Sequence, residues 1–163
     1  MHSLLPVLSV FSRILLAFCP AWLVPLGWAW FLDGHLHAAV WAVGFCLNLA
    51  SGLLLWHFTR RHRRELQARD GFLLVNLVWL VLPAFSALPL MFTVPGIDWA
   101  RAYFEAMSAL TATGATALSG LDDLPVSVNV WRCFLQLVGG LGIMLLVVAI
   151  LPLLGLGGVQ LYR

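Results

Sequence analysis

Thr111, Thr113 and Thr116 alternate with small residues in the run Thr111-Ala112-Thr113-Gly114-Ala115-Thr116. Such a run offers oxygen without charge. It holds three hydroxyls and a row of peptide carbonyls, and Gly114 opens backbone conformations closed to residues with a Cβ. Neutral oxygens of this kind suit a desolvated cation, because they replace its water of hydration yet bind weakly enough to release it. An ordinary exposed Thr/Gly loop would carry the same residues, and the pattern alone does not choose between the two.

The position of the run depends on the segment before it. Pro95 and Gly96 end an apolar stretch, and Asp98 is a good N-cap whose charge suits the positive end of a helix dipole. A helix is predicted from Trp99 through Ala102, Phe104, Met107 and Leu110. Its three turns cover only about 16 to 18 Å, against the roughly 30 Å of a hydrocarbon core. A helix that short must turn back, which makes it re-entrant, with its partly negative C-terminal end aimed at mid-membrane where the Thr/Gly run begins. Non-helical backbone at that depth is tolerated only where protein buries it or it lines a watery cavity.

Composition supports the membrane setting. Of 163 residues, 62% are hydrophobic and 10% charged, and the mean hydropathy is +0.97. Four windows are long enough to cross a bilayer as helices: Ile14 to Leu32, Ala38 to Phe58, Phe72 to Phe92, and Cys133 to Leu151. Pro20 and Pro25 in the first and Pro83 and Pro89 in the third should kink those helices or shorten their regular part. The apolar run after Arg13 is longer than the core of a signal peptide, so it reads as a span. Arginines 60, 61, 63, 64 and 69 crowd the turn after the second window, whereas residues 33 to 37 carry none. Positive charge accumulates in cytoplasmic loops, so residues 60 to 70 and both termini are placed inside, and residues 33 to 37 and 93 to 131 outside.

The remaining candidates are weighed by chemistry. Trp28, Trp30, Trp99 and Trp131 lie near span ends as headgroup anchors. Cys19, Cys46 and Cys133 fall on three different spans without a C-x-x-C spacing, and all three read as small buried hydrophobes. Glu105 and Arg132 are ionisable groups in or near apolar segments and are predicted to pair, bracing the short helix. Gly139, Gly140 and Gly142 would admit a close neighbour. Asp122 and Asp123 read as a solvated acidic pair. His35 and His37 lack further ligands for a metal, and Gly114 and Gly120 precede no Gly-Lys-Ser/Thr that would hold phosphate. The net charge of +2 is too small to point to nucleic acid. No nucleophile, base and orienting group occur together outside the apolar segments, so no enzymatic activity and no cofactor are assigned.

Residues 102 to 124, AYFEAMSALTATGATALSGLDDL, resemble the first pore loop of the TrkH family, the potassium-translocating subunits of bacterial Trk uptake systems. Residues 135 to 163, LQLVGGLGIMLLVVAILPLLGLGGVQLYR, resemble the helix that follows that loop, and Arg69-Asp70-Gly71-Phe72-Leu73 the entry into the helix before it. The likeness is strong over residues 69 to 163 and extends to residues 1 to 68 in layout.

That resemblance implies an all-α membrane protein of four transmembrane helices plus one re-entrant pore helix and filter loop. Residues 1–68 form an N-terminal helix pair with a cytoplasmic basic loop, and residues 69–163 form the first of four helix, pore loop, helix repeats around one ion path. Potassium is the implied substrate. In the family the carbonyls just before the filter glycine face the ion, which maps to Ala112 and Thr113, flanked by Thr111, Gly114 and Ala115. The family usually has Thr where this chain has Ala112, a change that leaves a main-chain ligand in place. The resemblance further implies a homodimer, a cytoplasmic nucleotide-binding regulatory subunit (TrkA) and residence in the bacterial inner membrane. Three repeats are missing after Arg163, so the chain reads as a fragment completed by the remaining repeats or by like chains. The alternatives are a non-conducting membrane anchor and a homotetrameric single-repeat channel.

Overall fold

A computed structural model of the chain describes residues 4–61 and 67–150. Its helices are α1 (Leu5–Phe18), α2 (Leu23–Trp28), α3 (His35–Thr59), α4 (Ala68–Thr93), α5 (Trp99–Leu110) and α6 (Val126–Ile150). No strand occurs among the described residues. Four runs among them are long and apolar enough to cross a membrane: Leu5–Asp33, His35–Thr59, Arg69–Thr93 and Val126–Met144. The arginine cluster is described only at Arg60, Arg61 and Arg69, and the predicted span end at Leu151 and the stretch from there to Arg163 lie outside the described residues.

The first run is one apolar rod that prolines divide. Pro20 lacks an N–H, and the chain tightens into a 3-10 turn over Cys19–Trp22 before α2 and a wide π turn over Ala29–Asp33. Cys19 N–H turns to Leu16 O. The carbonyl of Leu15 instead accepts from the buried amide of Asn48 on α3 at 3.0 Å. That bond also joins α1 to α3. Pro83 and Pro89, by contrast, sit inside α4, which runs through both.

A cluster of indole rings fills the centre. Trp22, Trp41 and Trp131 are fully buried, with ring centroids 5.0 to 6.4 Å apart and tilted as their quadrupoles prefer. Trp41 Nε1 donates to Ser127 Oγ at 2.9 Å, and Trp131 Nε1 donates to Ser86 O at 3.1 Å. Gly44 makes room for this cluster, since a Cβ there would lie 2.3 Å from Trp22. The indoles therefore lock α3, α4 and α6 to the first run.

Several sequence expectations need correction. Helix α1 starts at Leu5 rather than Ile14, because Val7, Phe11 and Leu15 share a buried stripe while Arg13 stays exposed. The turn between the first two spans is Gly34 alone, at φ +93°, where residues 33 to 37 read as a loop. Helix α6 begins at Val126, not Cys133, because its polar first turns find partners. Trp131 is a core residue rather than an anchor, whereas Trp28, Trp30 and Trp99 are exposed. Cys19 is buried, but Cys46 and Cys133 lie on exposed helix faces.

The partner for the start of α6 is distant in sequence. Asp33 accepts from Val126 N–H at 2.9 Å and Ser127 N–H at 2.8 Å, so it answers two of the unpaired donors that begin a helix and favours the positive end of its dipole. These bonds bring the turn after the first span and the start of α6 to the same end of the bundle. Asp33→Ala is expected to lower stability by about 1–2 kcal/mol, read as a drop in the melting temperature of the detergent-solubilised chain. Asp33→Asn should lose less, because an amide oxygen still accepts.

Candidate functional site

The short helix α5 forms where its signals place it. Asp98 Oδ1 accepts from Arg101 N–H at 2.8 Å and caps the first turn. Its 12 residues span about 18 Å at the standard rise. They pack between α4 and α6, burying Ala102, Glu105, Ala106, Ser108, Ala109 and Leu110. Tyr103 donates its hydroxyl to Leu80 O on α4 at 3.1 Å.

The end of α5 decides the shape of the loop. Thr113 N–H reaches back to Ser108 O at 2.9 Å and Ala112 N–H to Ala109 O at 2.9 Å. That pair of bonds closes a Schellman motif, whose left-handed position usually carries glycine. Here the position is Ala112, at φ +54°, the single non-glycine residue with positive φ among those described. An L-residue held there stores about 1 kcal/mol of strain. Gly114, two residues on, is also left-handed at φ +74°. The chain thus changes hand at Ala112 and again at Gly114.

Threonine hydroxyls tie this loop to itself. Thr111 Oγ1 donates to Met107 O at 2.9 Å, and Thr113 Oγ1 sits 2.8 Å from Thr111 Oγ1, placed to donate to it. Ser108 Oγ donates to Ala115 O at 2.7 Å. Among the described residues no donor reaches the carbonyls of Thr111, Ala112, Thr113 or Gly114. Four consecutive acceptors therefore stand open on an exposed stretch.

Beyond Ala115 the loop is held by a buried carboxylate. Glu105 is 1% exposed. Its Oε1 accepts from Thr116 Oγ1 at 2.7 Å, from the Ala117 N–H, and from Leu118 N–H at 3.3 Å. Its Oε2 accepts from Arg132 Nε at 3.0 Å, which is the predicted ion pair. Arg132 also reaches Asn129, whose amide donates to Leu121 O. Four donors on one carboxylate offset the cost of burying its charge. Asp122 and Asp123 lie in an exposed 3-10 turn.

The glycines divide by position. A Cβ on Gly139 would fall 1.7 Å from Leu110 O, so α6 touches the last residue of α5 backbone to backbone. Gly140 and Gly142 face open space. Two residues stand beside the loop that the sequence reading passes over. Ser108 lies one turn after Glu105 on the same face of α5, and this E-x-x-S spacing is the signal that would find it. Gln136 on α6 brings its amide nitrogen 3.8 Å from where a Gly114 Cβ would sit. An amide in the middle of an apolar span is its signal.

A short capped helix between spanning helices, ending in a loop with open carbonyls, defines a multi-pass α-helical membrane protein with a helix, short helix, helix unit. The family model for TrkH, described as cation transport protein, matches residues 37–163, and the chain belongs to that family. It is 51% identical over 120 residues to the Trk system potassium uptake protein TrkH of Vibrio parahaemolyticus, covering 73% of this chain and 25% of that protein. It is 32% identical over 158 residues to the Trk system potassium uptake protein TrkI of Halomonas elongata, covering 97% and 32%. The crystal structure of the potassium transporter TrkH from Vibrio parahaemolyticus superimposes with a TM-score of 0.86 at 40% identity, over 99% of this chain and 34% of that one. The chain spans about a quarter to a third of the length of these relatives.

The Gly139 contact is directly testable. Gly139→Val forces backbone apart and is expected to cost about 1–3 kcal/mol or more, read as loss of folded protein in a denaturant titration in detergent. Gly140→Ala, pointing into open space, should leave the midpoint unchanged.

Proposed function

We propose that this chain contributes one quarter of a potassium pathway, as the first of four helix, pore helix, helix repeats of an uptake transporter. The observation that carries the reading is the row of four carbonyls, Thr111 to Gly114, which no donor among the described residues reaches, at the end of a helix too short to cross a bilayer. In this reading α5 is re-entrant and its partly negative end faces the ion. The reversals of hand at Ala112 and Gly114 turn successive carbonyls toward a common axis. Potassium trades water for these oxygens, and Ala115 O, which already takes the Ser108 hydroxyl, ends the row. The names of the relatives, potassium uptake proteins of Trk systems, supply the ion.

The other elements follow from the same reading. Residues 1–68 form a helix pair that flanks the repeat of residues 69–163, and the remaining repeats complete the ring. The arginine-bearing end of α3 faces the cytoplasm of a bacterial inner membrane and both termini lie on that side, where a nucleotide-binding subunit of the TrkA type would dock on a dimeric transporter. No cofactor takes part, since the oxygens are the chain's own.

Growth at limiting potassium tests the proposal. In a strain lacking its own uptake systems, the gene in its native genomic context should restore growth at micromolar potassium. Replacing Gly114 with Val, which an L-side chain at φ +74° resists, should abolish the rescue while leaving the protein in the membrane. Normal rescue by that variant would contradict the role given to residues 111 to 114. Rescue by the 163-residue chain alone would favour a ring of like chains over unlike repeats.

A further inference from the structure

We infer that Glu105, held by Arg132, is a positioning residue for ion discrimination, acting on the limb of the loop that follows the open carbonyls. The inference rests on the proposed coordination by residues 111 to 114 and assigns what keeps their spacing. Both ends of that row are fastened to one face of α5. On the near side Ser108 O accepts from the N–H groups of Thr113 and Gly114, and Ser108 Oγ donates to Ala115 O. On the far side Glu105 Oε1 takes Thr116, Ala117 and Leu118 together. Glu105 and Ser108 are three residues apart, so they stack on that face.

The ion pair makes the far anchor stiff. A carboxylate held only by neutral donors could rotate to share them differently. Arg132 Nε fixes Oε2 at 3.0 Å and thereby aims Oε1 at the loop. Arg132 itself comes from α6, so the aim is set by a second helix rather than by the rotamer of Glu105 alone. A sodium ion, being smaller, requires the carbonyls to draw inward, and discrimination persists only while the loop resists that contraction. Residues 116 to 118 are the point at which it would yield.

The test measures potassium, rubidium and sodium uptake into right-side-out vesicles from an uptake-deficient strain that carries the gene in its native genomic context. Glu105→Gln and Arg132→Gln are each expected to lower the potassium-to-sodium uptake ratio about tenfold, the size of one charge-assisted hydrogen bond. Arg132→Lys, which keeps the charge, should recover most of the ratio. A merely structural role would reduce the amount of protein and the uptake of all three ions in parallel, leaving the ratio where it was. A ratio within about twofold of the unsubstituted chain, in Glu105→Gln or Arg132→Gln present in the membrane, overturns the inference. If neither variant reaches the membrane, Thr116→Ala decides, because it removes a single hydroxyl from Glu105 Oε1 and buries no orphaned charge. A lowered ratio then supports the inference and an unchanged one overturns it. Vesicles of the unsubstituted chain that take up no potassium would instead sink the coordination reading itself, and this inference with it.

Discussion

Irregular backbone between apolar helices needs its N–H groups answered by the protein or by water, and here two residues on one turn of α5, Ser108 through its carbonyl and Glu105 through its carboxylate, answer four of them. Glu105 and Ser108 between them engage every residue from Thr113 to Leu118 through a peptide group or a hydroxyl. Just ahead of that stitching, no donor among the described residues reaches the carbonyls of Thr111 to Gly114, so four oxygens stand open in a row.

The same logic reaches the rest of the bundle. Arg132 can serve Glu105 only because α6 starts seven residues before the apolar stretch at Cys133, and α6 starts there because Asp33 takes its first N–H groups. Asp33 in turn is placed by the proline-broken first run and the single-residue turn at Gly34. The three indoles join the same parts from inside, with Trp41 and Trp131 each spending their N–H on a different partner. The N-terminal helices and the loop are thus one mechanical assembly, although among the described residues no hydrogen bond joins the first run to the open carbonyls.

What the sequence made legible was local or electrostatic. Asp98 followed by Trp99, and the close at Leu110, gave α5 its limits because a cap and a Thr/Gly break are near-neighbour signals. The meeting of Glu105 and Arg132 followed from the cost of an unpaired charge among apolar side chains, which needs no knowledge of topology. Ser108 stayed hidden because a lone serine in a helix carries no charge to flag it. Asp33 stayed hidden because its partners are more than ninety residues away, and Trp131 because an indole near a predicted span end looks the same whether it meets headgroups or two other indoles. Cys46 and Cys133 misled because a thiol buried by lipid and a thiol buried by protein read alike. The left-handed Ala112 had no signal at all, since that cap position ordinarily carries glycine.

The contact between Gly139 and Leu110 also restricts how the bundle can move. Each step along α6 turns its surface by about 100°, so a twist that swings Val138 toward Leu110 would put a side chain into the notch that only a residue without one can occupy. The rod is thus keyed against turning that way, and a push along α6 in that sense would reach Leu110, the residue just before the row of oxygens, as tilt.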